Sequence, residues 1–449
     1  MRQALRTLTI VAAAAVMSQA PVAAAQSPQD VIVYRGAMLF DGLGGALRPN
    51  LNIVTLGDTI VAVEDTDTPP PENARVIDVD GLYVLPGLID THVHIATPPD
   101  AAAARRDMRR WVYSGVTAVR DMADDLRSVA ELAREARNGE TPSPDIYFAA
   151  LVAGPTFFDD PRTRSVSVGY APGTAPWMQA IGPETDLATA VAIARGTGAT
   201  ALKIYANLPG ETVARITSEA HRQGLPVWAH AMVYPATPAE VAAAGPDVMS
   251  HVCSLAHQGQ APDDRPVSYN TRQAIDRVAF LGGDNPAVQE VLLAMRDSGI
   301  LLDATVRVYF EQDRLVAADP SRKPPLCSGP MTAALAGQAY RAGVRITAGT
   351  DGETNPADPW PALYEELSLL QNVVGMTPRD VLMAATATAA EAANQSDMGT
   401  IQPGKLANLI FVAEDPTVDV EALKTLKFTV KRGRIFAREE YVAPAPSDP

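Results

Sequence analysis

Six histidines are spread over the chain, and four of them stand at or next to the ends of short apolar runs. His92 and His94 lie in Leu88-Ile-Asp-Thr-His-Val-His-Ile. On a strand, a spacing of two turns both imidazoles to one face. Two neutral rings there chelate a borderline cation such as zinc. His230 ends Gly224-Leu-Pro-Val-Trp-Ala-His, and His251 ends Pro246-Asp-Val-Met-Ser-His. Either alone reads as well as a core histidine; two successive runs that both close on histidine favour ligands. His221 sits beside Arg222 on an amphipathic stretch and reads as solvated. His257 falls in a loop and is kept outside the metal set.

Two further residues belong with these. Asp351 closes Val344-Arg-Ile-Thr-Ala-Gly-Thr-Asp. A carboxylate there can ligate a cation and exchange a proton with water, or simply cap a helix. Lys203 interrupts the apolar run Ala201-Leu-Lys-Ile-Tyr. An unpaired buried ammonium is costly. Such a lysine either snorkels to the strand end or loses its proton and takes up carbon dioxide. The resulting carbamate would bridge two cations. The residues alone leave both open.

The elements that must position these groups follow from texture. Strands are expected at 87–94, 117–121, 146–152, 201–205, 226–230, 248–251, 300–305 and 345–351, separated by helical patterns such as Ser128–Arg137, Glu211–Arg222 and Met331–Arg341. Alternation of this kind predicts parallel βαβ units. Eight strands suit a closed (β/α)8 TIM-type barrel over 87–397, with a doubly wound open sheet as the rival. Barrel sites form at the C-terminal strand ends, where these histidines and Asp351 fall. Both chain ends have a different texture: short β-branched runs broken by Gly, Asp and Pro, which predict antiparallel strands and hairpins. Residues 30–86 and 398–440 are therefore expected to form one small β-sandwich domain together, since chain ends often lie close. Gln258–Asn285, rich in Pro, Asp and Gly, reads as an insertion after the sixth strand.

Residues 1–25 read as a secretory signal: Arg2 and Arg6, an apolar run from Leu8 to Met17, then Ala23, Ala24 and Ala25 ahead of Gln26. The run is too short to span a bilayer. The protein is thus expected to be exported, to the periplasm or beyond, with no membrane contact after cleavage. With 37 basic and 52 acidic residues the net charge is −15. Without Arg2 and Arg6 it becomes −17, which disfavours nucleic acid and anionic membranes as partners. A small-molecule substrate is expected, and self-association into a homo-oligomer stays open. Two cysteines, Cys253 and Cys327, allow one disulfide and exclude a cysteine-based metal site.

Together these segments resemble the amidohydrolase superfamily, and within it the imidazolonepropionase-like and prolidase-like dinuclear group. The resemblance is carried by Leu85-Pro-Gly-Leu-Ile-Asp-Thr-His-Val-His, Gly115-Val-Thr-Ala-Val-Arg-Asp-Met, Leu202-Lys-Ile-Tyr, Ala229-His, Ser250-His, Ala348-Gly-Thr-Asp and Gly399-Thr-Ile-Gln-Pro-Gly-Lys-Leu-Ala-Asn-Leu-Ile. They occur in the family's order over nearly the whole chain. The resemblance implies two divalent metal ions, zinc by preference. His92, His94 and Asp351 would hold the more buried one, His230 and His251 the other, and carboxylated Lys203 would bridge them. It implies hydrolysis of an amide or peptide-like C–N bond by a metal-bridging hydroxide, with Asp351 moving the proton. An N-acyl amino acid or dipeptide-like substrate is expected, with Tyr205, Arg307 and Tyr309 as candidate contacts. The alternatives are a lactone or phosphotriester hydrolase on the same site, a one-metal deaminase, and a catalytically silent binding protein.

Overall fold

A computed structural model describes residues 31–97, 99–275, 280 and 282–443. The expected signal segment 1–25 lies outside them, as does part of the 258–285 insertion. Five strands open the described chain: β1 (Val31–Leu39), β2 (Arg48–Leu56), β3 (Thr59–Asp65), β4 (Arg75–Asp78) and β5 (Tyr83–Pro86). The central region follows with β6 (Leu88–Val93), β7 (Val116–Asp121) and β8 (Asp145–Ala153), then the short hairpin β9 (Thr174–Ala175) and β10 (Met178–Ala180). Next come β11 (Ala201–Ile204), β12 (Val227–His230), β13 (Val248–Ser250), β14 (Leu301–Asp303) and β15 (Ile346–Thr347). The chain closes with β16 (Leu409–Val412), β17 (Leu426–Lys431) and β18 (Arg434–Ala437).

Strands β6 to β8 and β11 to β15 pair in parallel, each with the next. The first and last also meet. The Thr91 amide donates to the Ala348 carbonyl and the Asp351 amide to the His92 carbonyl, both at 2.9 Å. The eight runs therefore form a nearly closed barrel rather than an open sheet. Their apolar continuity has a physical cause: helices cover the outside and side chains fill the inside, so both faces of each strand are buried. All nine residues of β8 are buried. The expected helices appear at Leu126–Asn138, Gly210–Arg222 and Gly329–Arg341. The first starts where the Asp125 side chain accepts from the Arg127 amide and stops at Gly139, whose φ of 68° a residue with Cβ rarely adopts. No helix among the described residues is long and apolar enough to cross a membrane.

The two chain ends share one eight-stranded mixed sheet. Its joint is direct: β5 pairs antiparallel with β16, Leu409 opposite Pro86 and Phe411 opposite Val84. The expectation of antiparallel strands holds for β1–β2–β3 and β16–β17–β18. It fails for β4 and β5, which run parallel to β1. The stretch 66–82 carries the chain back to the far edge of β1, a crossover that short-range turn signals do not encode. Tyr34, Leu39, Ile53, Leu409, Phe411 and Val430 form the core of this domain.

Candidate metal centre

Strand ends place the candidate ligands around one mouth of the barrel. His92 on β6 is buried, and its Nδ1 lies 2.7 Å from Oδ2 of Asp303. A carboxylate acceptor puts the ring proton on Nδ1 and leaves the Nε2 lone pair facing the mouth. There His92 Nε2 lies 3.5 Å, and His94 Nε2 3.4 Å, from the same Oδ1 of Asp351. His251 stacks close by, 4.8 Å from His92 and 4.7 Å from His230 between ring centroids. Its Nδ1 lies 3.0 Å from Thr305 Oγ1. His92, His251 and Asp351 each offer a ligand atom, all within 4.8 Å of one another. Lys203 sits beneath them with no solvent exposure, its Nζ 3.3 Å from Ser250 Oγ, which in turn donates to Asp303 at 3.0 Å.

Backbone geometry at the strand ends is unusual. His251, Thr305 and Asp351 have φ of 69°, 49° and 49°, in the left-handed region that residues with Cβ seldom enter. Such strain persists only where the surroundings hold it, and it clusters at functional sites. At Gly349 a Cβ would stand 2.2 Å from Asp303 Oδ1 and 2.8 Å from the His92 Cβ.

The electrostatics suit cations. Burial would raise the Asp351 carboxyl, but the facing His92, His94 and His251 hold it well below the usual range. Burial lowers His251 to about 3 and drives His230 well below its ordinary value, so both rings are neutral donors. His94 is the exception: burial opposes its protonation, yet Asp124 and Asp351 raise it to about 10. Lys203 is lowered to about 7, chiefly by burial and against the pull of Asp303. Four imidazoles and a carboxylate with outer partners on His92 and His251 form a donor set that fits borderline divalent cations.

The remaining histidines lie elsewhere. His221 Nε2 meets Asp247 at 2.8 Å on the surface, and buried His257 lies between Tyr234 OH at 3.1 Å and Gln260 Oε1 at 2.6 Å. Tyr205 and Tyr309 line the cleft above the ligands, which has a volume of about 830 Å³. The Tyr205 ring lies 4.0 Å from that of His230. Arg307 does not line it. Its Nε is 2.6 Å from Glu365, and its backbone amide donates to Glu366 at 2.6 Å. Among the cleft residues that sequence reasoning missed, Tyr269 and Arg272 come from the 258–285 insertion. Asp303 was also missed, although it ends an apolar strand, Leu301-Leu-Asp, in the same way as Asp351.

The model of the Amidohydrolase family matches residues 83–436, and the chain belongs to that family. Adenine deaminase 2 of Agrobacterium fabrum (strain C58 / ATCC 33970) is 44% identical over 89 residues, covering 18% of this chain and 14% of the deaminase. Among solved structures, a Xaa-Pro dipeptidase with methionine in its active site is 21% identical, covering 91% of this chain and 99% of its own at a TM-score of 0.71. The A. niger ochratoxinase is 21% identical, covering 91% of this chain and 96% of its own at a TM-score of 0.68. A molinate hydrolase is 19% identical, covering 92% and 95% at 0.69. At these identities the structural likeness establishes the shared fold.

Proposed function

We propose that this enzyme hydrolyses an amide or peptide-like bond in an N-acyl amino acid or dipeptide-like substrate, using two zinc-type cations. His92, His94 and Asp351 would hold one and His230 and His251 the other, with Lys203 carboxylated between them. One observation carries the reading: a single Asp351 oxygen faces the Nε2 atoms of His92 and His94 at 3.5 and 3.4 Å. Cations held there would supply Lewis acidity to a carbonyl and lower the pKa of water. Asp351 would accept a proton from the attacking water and hand it to the leaving amine. Tyr205 and Tyr309 border the cleft and would donate toward a developing oxyanion. Arg307 is spent on Glu365.

The Lys203 carbamate has its own physical support. Two dications repel, and neutral imidazoles add no compensating charge. The ammonium would release one proton, and the neutral amine would bond to carbon dioxide and release a second, so that a buried cation becomes an anion. Lys203→Ala is expected to lose most activity and part of its metal. Lys203→Arg fails too, because guanidinium stays cationic. Carbon-13 bicarbonate should label the loaded protein with a carbamate signal; an unmodified ammonium in active, fully metallated enzyme overturns the two-metal reading. Metal content decides more broadly: about two per chain together with amide hydrolysis supports it, and none supports the silent binding protein. A one-metal deaminase would survive Lys203→Ala. A lactone or phosphotriester hydrolase would leave amides uncut.

Export is part of the same reading. The disulfide between Cys253 and Cys327, with Cα atoms 5.9 Å apart, supports an oxidising compartment.

A further inference from the structure

We propose that Tyr269 and Arg162 are positioning residues that act through Tyr205, holding its hydroxyl as a donor to the oxyanion that forms beside His230. The inference rests on the amide-hydrolase reading and deepens it by two residues which that reading leaves idle. Tyr269 belongs to the 258–285 insertion, where it opens one turn of 3-10 helix, Tyr269–Thr271. Its hydroxyl lies 3.1 Å from Arg162 Nη2 and 3.3 Å from the Tyr205 hydroxyl. The Tyr205 ring packs 4.0 Å from that of His230, between centroids, and borders the cleft. Side chains from the connections after β8, β13 and β11 therefore form one hydrogen-bonded row, which runs from Arg162 at the rim to the side of a candidate ligand.

The row has a direction. A guanidinium has protons to give and no lone pair to accept with, so Arg162 donates and the Tyr269 oxygen accepts. A hydroxyl that accepts at its oxygen is polarised and donates its own proton more strongly to the next acceptor. The Tyr205 oxygen stands in that position. Tyr205 then accepts from behind, and its one proton is left for the cleft. An oxygen that gains charge beside His230 would meet a donor already aimed and already polarised, the condition under which such donors contribute most. Arg162 is itself held, because Asp160 accepts from its Nε at 3.1 Å and its Nη2 at 2.8 Å. Its side chain is exposed, which makes it the weaker link of the row.

Asn207 fixes the turn that carries Tyr269. Its Oδ1 accepts from the Tyr269 amide at 2.8 Å, and its Nδ2 donates to Asn270 Oδ1 at 2.9 Å and to Thr156 Oγ1 at 3.0 Å. One side chain after β11 thus ties the insertion to the connection after β8. Asn207 has φ of 58°, a left-handed conformation that asparagine tolerates better than most residues. Gly154 makes the close packing possible: a Cβ there would stand 1.8 Å from the Asn207 carbonyl oxygen. The Tyr269 ring is held as well, with Phe157 at 5.7 Å between centroids and the Arg272 guanidinium 3.4 Å above it. Removing the Tyr269 hydroxyl alone leaves all of these contacts in place.

The test is a double-mutant cycle on metal-loaded enzyme with Tyr205→Phe, Tyr269→Phe and the two together, and with Arg162→Met beside them. Kinetics are measured on whichever of N-acetyl-leucine and Ala-Leu the parent cleaves faster. Affinity is measured for N-(methylphosphonyl)-leucine, whose anionic tetrahedral phosphorus stands in for the oxyanion. Tyr205→Phe should lower kcat about a hundredfold, the scale of one lost oxyanion donor. Tyr269→Phe should lower kcat about five- to tenfold, the scale of one neutral hydrogen bond, and weaken the phosphonate by the same factor. KM should stay within about twofold, because the contact is made in the transition state. Arg162→Met should fall between Tyr269→Phe and the parent. In the Tyr205→Phe background the Tyr269 change should add nothing, because its route to the reaction is gone. Losses that multiply in the double variant overturn the proposal, as do parent-like rates in any single variant, a change in KM alone, loss of metal, or unaltered phosphonate affinity. Each of these leaves amide hydrolysis intact. A parent that cleaves no N-acyl amino acid or dipeptide overturns both.

Discussion

Asp351 and Asp303 are both buried-site carboxylates at the ends of neighbouring strands, yet they do different work. Asp351 faces the Nε2 atoms of His92 and His94, whereas Asp303 touches the rear Nδ1 of His92 and the Arg120 guanidinium at 3.3 Å. Burial alone would raise Asp303, but His92 and Arg120 hold it at about 2, so it remains an acceptor at any working pH. Asp351→Asn should lower kcat at least about a hundredfold, the scale of a lost proton transfer, with a smaller effect on KM. Near-normal turnover would return Asp351 to a helix-capping role. Asp303→Asn should act through the metal: the amide cannot stabilise the same imidazole charge. Metal affinity or activity is then expected to fall about 10–100-fold, a range typical of outer partners, as read by competition with a chelator. Unaltered affinity and rate would make Asp303 purely structural.

At the scale of elements, the loop that follows β15 is held by the helix that follows β6. Arg110, on the helix Ala101–Tyr113, is buried and bonds Glu353 at 2.6 Å and the Asn355 carbonyl at 2.8 Å. Trp111 binds the other Glu353 oxygen at 2.5 Å. These contacts tie the first strand's connection to the segment two residues beyond Asp351. Arg110→Ala leaves Glu353 without its cation, and removal of one partner of a buried pair is expected to cost up to about 3 kcal/mol of stability. Solvent contact at Glu353 keeps the cost below that of a fully buried pair. Arg110→Lys keeps the charge but loses the fork, so it should recover stability better than kcat. Equal recovery of both would show that Arg110 serves stability alone.

The whole molecule joins two unlike domains through two passages of the chain and a hydrogen-bonded seam. β5 leads directly into β6, while the Gly87 amide donates to the Asn408 carbonyl at 2.9 Å. Lys431 and Arg432 on the terminal sheet reach Asp145 at the start of β8, at 2.6 and 2.8 Å. The acidic overall balance and the expected leader concern this scale as well. Protein recovered from the exported fraction should begin near Gln26 by N-terminal sequencing. Soluble exported protein that retains Met1 would refute cleavage.

What the amino-acid sequence determined by itself was periodic or local. Parallel barrel strands are apolar on both faces, so all eight were legible as short apolar runs, and the histidines and Asp351 were legible because they break those runs at the mouth. His92 and His94 share a face through a spacing of two, which needs no tertiary information. The tertiary structure decided what depends on approach across the ring. Asp303 reaches His92 from 211 positions away, and Tyr269 and Arg272 enter the cleft from an irregular insertion with no period to read. Arg307 looked available after its strand, but Glu365 from a later helix claims its guanidinium. The parallel placement of β4 and β5 against β1 was hidden for the same reason. Hydrophobic alternation records which face of a strand is buried and says nothing about which neighbour, or which direction, completes the sheet.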